Sequence, residues 1–254
     1  MNKAKALAAG ALCIGLAFCA TAKKKTPGED KSNPQYYFDR AEVAVRYALA
    51  DQAIEYLNQA LALEPDHVPS LKLLGTIHFQ AKDFGKAAAV LERCVALKPD
   101  LVEAVNRLGQ TYDALGEKEK AEDMFQKSLA VDGNGFAAFS LGKLRLEAKK
   151  YPEALNFVDQ SIAKAPKEAG AYNMKGVILN QMGRYPEAIA VLRTALALAP
   201  NDPNVRINLG IGLMNSKDYV QAKDAFEKAL LLITDPALRT RVEGYLKLIA
   251  DAGQ

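Results

Sequence analysis

The sequence predicts an all-α protein, an α-solenoid of six helix-turn-helix repeats followed by one capping helix. Three observations support this prediction: turn-forming residues recur every 33 or 34 residues, small residues recur in register with them, and each repeat contains two stretches with helical periodicity. The turn residues that set the period are Pro65, Pro99, Gly133, Pro166 and Pro200. The resulting units are 34–67, 68–101, 102–134, 135–168, 169–202 and 203–236.

The composition is that of a folded protein with no strong electrostatic bias. Of 254 residues, 50% are hydrophobic and 25% charged, enough apolar surface to bury a core. The 33 basic and 30 acidic residues leave a net charge of +3, which does not indicate a nucleic-acid partner. Two histidines and three cysteines offer little material for a metal site or a disulfide framework, so no cofactor or metal is expected.

Small residues occupy two columns of the aligned units. The first column reads Ala41, Gly75, Gly109, Gly142, Gly176 and Gly210, and the second, 12 residues later, reads Ala53, Ala87, Ala121, Ala154, Ala188 and Ala222. Packed helices normally lie about 8–10 Å apart, and only small side chains at the crossing allow a closer approach. We therefore expect the two columns to face each other within each unit, with large side chains such as Leu192 filling the space on either side.

The fifth unit illustrates the two helices. Tyr172, Gly176 and Leu179 form one helical stripe, and Ala188, Leu192 and Ala195 form another. Between the stripes the turn Gly183-Arg184-Tyr185-Pro186 ends one helix and begins the next. Arg145 and Lys175 stand where apolar residues are expected, so the middle of the array is less regular than its ends.

These residues resemble the tetratricopeptide repeat. The matching sets are Leu108-Gly109 with Tyr112, Ala121 and Phe125; Leu209-Gly210 with Ala222 and Phe226; and Tyr172-Gly176-Ala188-Pro200. The resemblance covers residues 34–236. It implies a right-handed superhelix with a concave groove lined mainly by the first helix of each unit. It also implies recognition of peptides or partner proteins without catalysis.

The last residues predict a cap for the array. After Thr234-Asp235-Pro236, a helix start, Leu238, Val242, Tyr245 and Ile249 form one apolar stripe. A terminal repeat leaves one side open to water, so we expect residues 237–254 to form a capping helix and tail over the sixth unit.

The first 22 residues have the proportions of an export signal. Lys3 and Lys5 precede an uncharged, mostly apolar stretch, and Ala20-Thr21-Ala22 forms a cleavage site. Lipidation at Cys19 in a bacterial lipoprotein signal is an alternative, although Phe18 departs from that pattern. The third interpretation of this segment is an uncleaved membrane anchor. Residues 23–33 are charged and lack apolar residues to bury, which predicts a flexible tether. We expect the body of the protein in the periplasm, or on the outer membrane if lipidated.

The sequence offers no catalytic constellation. His78 falls in a packed column, His67 is expected to be a solvated loop residue, and Cys94 occupies a small-residue position. The glycines follow the repeat period rather than a phosphate-binding loop. We therefore predict a protein that is not an enzyme.

The groove is the candidate site. On the geometry of the resembled family, its predicted residues are Lys72, Phe79, Asn106, Gln110, Phe136, Phe139, Lys143, Leu146, Asn173, Asn180, Asn204 and Asn208. Phe136, Phe139 and Leu146 favour an apolar site flanked by amides, suited to a peptide. In the alternative interpretation, the phenylalanines pack between adjacent first helices and the asparagines are merely solvated.

Together these features predict an exported bacterial scaffold or adaptor that binds a protein or peptide partner. Two alternatives stay open: a lipid-anchored assembly factor for an outer-membrane pilus or secretion complex, and a module that regulates an envelope enzyme or presents substrate to it. The partner and the oligomeric state are not predicted.

Overall fold

The computed structural model describes residues 30–133 and 135–252, and every regular element in these two ranges is an α-helix. The predicted signal segment, with Cys19, and most of the predicted tether lie outside the described residues. The helices are α1 (Pro34–Arg46), α2 (Ala50–Leu63), α3 (Val68–Gln80), α4 (Phe84–Leu97), α5 (Val102–Leu115), α6 (Lys118–Asp132), α7 (Gly135–Glu147), α8 (Tyr151–Lys164), α9 (Ala169–Gln181), α10 (Tyr185–Leu198), α11 (Pro203–Asn215), α12 (Tyr219–Leu230) and α13 (Pro236–Ala252).

The helices pair and stack in chain order. Each 34-residue unit contributes one antiparallel pair, and the second helix of one unit packs against the first helix of the next. The side chains between them form a nearly continuous series of buried clusters along the array. The predicted fold class, an all-α solenoid of helical hairpins, is confirmed.

The close approach inside each pair occurs at the glycine column, but against a different partner from the one expected. A Cβ placed on Gly176 would lie 2.3 Å from Cγ of Leu192, and one on Gly210 would lie 2.6 Å from Cε1 of Phe226. The glycines at 75, 109 and 142 meet large side chains of the second helix in the same way. The nearest neighbour of the glycine column is therefore the large residue, while Ala188 and its equivalents are fully buried close by.

The turn inside every unit contains one residue in the left-handed backbone conformation, always at the same position. Gly116 and Gly183 have positive φ, and so do the non-glycine residues at the equivalent positions, Ala48, Lys82, Lys149 and Lys217. In each turn the next backbone N–H donates to a carbonyl five residues earlier, as from Lys150 to Arg145 at 2.8 Å. This Schellman-type bond satisfies an otherwise unpaired carbonyl at the end of the first helix. The geometry is imposed by the packing of the pair, since a lysine does not favour it.

The capping helix is present as predicted, beginning one residue earlier at Pro236. Val242 and Ile249 are buried, and the ring of Tyr245 stacks on Phe226 with centroids 5.2 Å apart. Helix α13 therefore covers the side of the sixth unit that would otherwise face water.

The expectation for His67 was wrong. Its side chain is buried, its Nδ1 lies 2.8 Å from Oγ of Ser70, and its ring meets Phe38 edge-on at 5.9 Å. The histidine joins the first and second units because Phe38 belongs to α1 and Ser70 to α3. A contact between units of this kind has no signature in the 34-residue period.

We expect Gly176→Ala to destabilise the protein by overpacking the crossing at Leu192, a cost of about 1–3 kcal/mol. Gly244→Ala is the matched control, because a Cβ there meets nothing within 4 Å. That change should stabilise α13 by about 0.5–1 kcal/mol through helix propensity alone. Chemical denaturation measures both values, and their difference isolates the packing cost. Equal stabilisation by the two changes would contradict a tight crossing at Gly176.

We expect Lys149→Gly to stabilise the fold by about 0.5–1 kcal/mol, because glycine removes the cost of a left-handed lysine but adds unfolded-state entropy. The adjacent Lys150→Gly is the control: Lys150 has a φ of −86°, so glycine should only destabilise there. Thermal melting of both variants tests the sign. A loss of stability in Lys149→Gly would show that the turn does not hold this residue under strain.

Candidate functional site

The first helices of the units lie on the inner side of the array. Helix α3 packs on α5, α7 on α9, and α9 on α11, whereas successive second helices have no comparable contact within the described ranges. Because the first helices contact one another and the second helices do not, the stack is curved. The first helices therefore line its concave face. All twelve predicted site residues lie on these first helices.

The lysines of the concave face are paired with acids from neighbouring helices. Nζ of Lys72 lies 3.0 Å from a carboxylate oxygen of Glu103, and Nζ of Lys143 lies 2.8 Å from Oδ2 of Asp113. Burial opposes the ionisation of Asp113, but hydrogen bonds from Lys118 and Lys143 outweigh it and hold the pKa of this carboxyl below its ordinary value. The face therefore offers balanced charge rather than a cationic cradle for a carboxylate.

Phe79 is covered by a neighbouring side chain. The guanidinium of Arg107 lies 4.8 Å above the centre of its ring, and the ring meets Phe84 edge-on at 5.5 Å. Nη1 of Arg107 also donates to Oε1 of Gln110 at 2.9 Å. Phe79 and Gln110 thus belong to one packed group between α3 and α5.

Phe136 and Phe139 border an open pocket. The cavity, of about 460 Å³, lies where α7 and α9 begin and α8 ends. Phe136 is 43% exposed, and a Cβ placed on Gly170 would meet nothing within 4 Å. The lining is mainly apolar and contains one charged residue, Glu168: Gly135, Phe136, Phe139, Ser161, Ala165, Glu168, Gly170 and Ala171.

Leu146 does not share this pocket. It packs against the buried cluster of Ala154, Val158 and Ile178, in the space between α7, α8 and α9. The structure therefore brings two of the three predicted apolar residues together and packs the third, half-buried, against a separate buried cluster. Sequence reasoning missed Glu168, Gly170 and Ala171, whose only signal was an unusual run of small residues at the start of α9.

Three of the four clustered asparagines form one hydrogen-bonded group. Nδ2 of Asn208 donates to Oδ1 of Asn173 at 2.9 Å, and Nδ2 of Asn180 donates to the backbone carbonyl of Asn208 at 3.1 Å. The fourth, Asn204, stands apart at the start of α11, where its backbone N–H donates to Asp202. The group links α9 to α11 across the concave face.

Two amide oxygens on this face have no hydrogen-bond partner within the described part of the chain. They are Oδ1 of Asn106 in α5 and Oδ1 of Asn180 in α9, and both atoms are buried. A buried carbonyl without a donor costs about 1–3 kcal/mol. The oxygen of Asn180 lies against α11, where a Cβ placed on Gly212 would be 2.9 Å from it.

The residues considered for chemistry have structural surroundings. Cys94 is a buried free thiol, and burial raises its pKa, which disfavours the reactive thiolate. Burial also lowers the pKa of His78. Across residues 30–133 and 135–252, no three His, Cys, Asp or Glu side chains are grouped as metal ligands. None of the helices in those ranges combines the length and hydropathy of a membrane span.

The fold and the concave face define a class: helical-repeat proteins that present a surface built from successive first helices. Comparison of the sequence with protein-family models narrows this class to one family. One tetratricopeptide repeat model matches residues 38–102 and 139–203, and a second matches residues 78–141 and 179–240. The chain belongs to the tetratricopeptide repeat family, whose members are generally scaffolds for protein interaction.

Solved structures with this fold have low sequence identity to the chain. YrrB, a TPR protein with an unusual peptide-binding site, is 17% identical, with a TM-score of 0.59 over 74% of this chain and 97% of its own. PilF of Pseudomonas aeruginosa is 20% identical, with a TM-score of 0.64 over 73% and 86%. The Cut9–Hcn1 hetero-tetramer of APC/C is 16% identical, with a TM-score of 0.72 over 87% of this chain and 43% of that one. No curated protein matches the sequence significantly.

Proposed function

We propose that this protein is a non-enzymatic scaffold of the bacterial cell envelope that binds a segment of a partner protein along its concave face. The observation on which the proposal depends is the open, mainly apolar pocket at Phe136 and Phe139, next to the concave face. An apolar pocket with a few placed polar groups is the usual form of a peptide-recognition site. The solved relative YrrB, with its peptide-binding site, has the same fold.

The chemistry of the pocket favours a particular kind of segment. Phe136 and Phe139 provide the walls for a large aliphatic or aromatic side chain, whose burial contributes about 1.5–3 kcal/mol. Glu168 is exposed at the rim and forms no ion pair within the described ranges, so it favours a Lys or Arg next to that apolar residue. The paired lysines elsewhere on the face disfavour strongly acidic partners, because they have no charge to spare.

Photocrosslinking in living cells tests this proposal. Benzoylphenylalanine in place of Phe136 should capture a partner segment, and adding Glu168→Lys to that variant should reduce the yield several-fold by reversing the charge at the rim. The same reagent in place of Gln160, on the exposed side of α8, is the control. Capture from position 160 alone would contradict binding on the concave face. Equal yields with and without Glu168→Lys would contradict the preference for a basic neighbour.

We further propose that the body of the protein is exported and reaches the periplasm after cleavage behind Ala22. Intact mass, with fatty-acid labelling of the wild type and of Cys19→Ala, tests this step. The expected mass is that of residues 23–254, without label. Label that disappears in Cys19→Ala would instead support the lipid-anchored form and the envelope-assembly role that goes with it. An unprocessed mass would contradict both routes.

A further inference from the structure

The two ends of the array differ in the polarity of their exposed surfaces. At one end, α13 closes the stack and turns Arg241, Glu243 and Lys247 outward beside Leu248. At the other end, α1 and α2 present Tyr36, Arg40, Val43, Tyr47, Leu49 and Tyr56 around a cavity of about 500 Å³. We call these six residues, together with Asp39 of the same lining, the α1–α2 end face. A terminal unit normally has a polar outer surface, whereas the end face is mainly apolar and carries one acid and one base.

Internal comparison shows that this surface is a docking surface elsewhere in the molecule. The residues equivalent to Tyr36 in the second to sixth units are at most 2% exposed: Ser70, Ala104, Ala137, Ala171 and Val205. Ile77, which is equivalent to Val43, is 5% exposed because it packs in the cluster that contains Leu57 of α2, in the preceding unit. Within the described ranges no helix precedes α1, and Val43 is 47% exposed, Leu49 49% and Tyr47 74%.

The end face is self-complementary in charge, because it carries one exposed acid and one exposed base. Asp39 and Arg40 are adjacent, both are exposed, and neither forms a salt bridge in the part of the chain that the structure describes. Arg40 instead lies 4.7 Å over the ring of Tyr36, and Asp39 accepts a hydrogen bond from Gln35. A two-fold axis through the face would bring Arg40 of each copy towards Asp39 of the other, giving two reciprocal ion pairs around an apolar centre.

We propose that the α1–α2 end face is the interface of a homodimer with two-fold symmetry, in which each copy covers the open end of the other. The capped opposite end agrees with a closed pair rather than a filament, because head-to-tail stacking would place the apolar end face against the charged surface of α13. The dimer places the concave faces of its two copies in one assembly. This inference does not depend on the proposed peptide site.

Sedimentation velocity of the full chain, in the processed form that cells produce and with its mass measured first, tests the dimer. The expected mass is twice that of the chain. Val43→Glu should halve that mass, because it places a carboxylate from each copy in the apolar part of the interface. Val220→Glu, at a residue of α12 that is 83% exposed, is the matched control and should leave the dimer intact. Circular dichroism should show unchanged helix content in both variants.

Charge exchange provides a second and more specific measurement. Arg40→Asp and Asp39→Arg should each be monomeric, since each places like charges together, and an equimolar mixture should form a heterodimer in which every pair is again opposite. A monomeric wild type at all concentrations would overturn the proposal, including a monomer whose own N-terminal segment covers the face. A dimer that survives Val43→Glu, or charge variants that still self-associate, would overturn it as well.

Discussion

Five of the six units depend on the absence of a side chain at one position of the first helix, and the first unit has the small Ala41 there. The large residue of the second helix, such as Leu192 or Phe226, lies against bare backbone at Gly176 or Gly210, so the two helices approach closely and a fully buried side chain fills the crossing. A pair held this way has a defined separation and angle. Repetition of the same contact along the chain makes the curvature of the stack regular, and the concave face follows from that curvature.

The concave face combines balanced charge with an open apolar pocket. Lysine–carboxylate pairs bridge neighbouring first helices, so they stiffen the surface while cancelling its field. The pocket at Phe136 has room for a side chain. Such a surface selects by shape and by burial of apolar side chains, and long-range attraction contributes little.

The sequence predicted the helices and their order well, because periodicity reports which side of a helix is buried. It did not predict which atoms meet: spacing identifies the glycine column, but not that Leu192 rather than Ala188 lies nearest to Gly176. Left-handed lysines at 82, 149 and 217 contradict local preference and are imposed by the packed pair. Arg145 and Lys175, unexpected in apolar positions, pair with Glu153 and Asp159, at 2.7 and 2.6 Å. In the groove, the row of residues was predictable, whereas the pocket arises from side chains that are missing at Gly170 and Ala171.

The capping helix also determines where the array can change its length. An additional 34-residue module inserted ahead of α11 would pack against an apolar surface on both sides and would lengthen the inner surface by one helix. A module appended behind α13 would meet arginine, glutamate and lysine and have nothing to nest into. Growth by duplication, in evolution or in the laboratory, is therefore blocked behind α13, and the final helix acts as the fixed terminus of that end of the array.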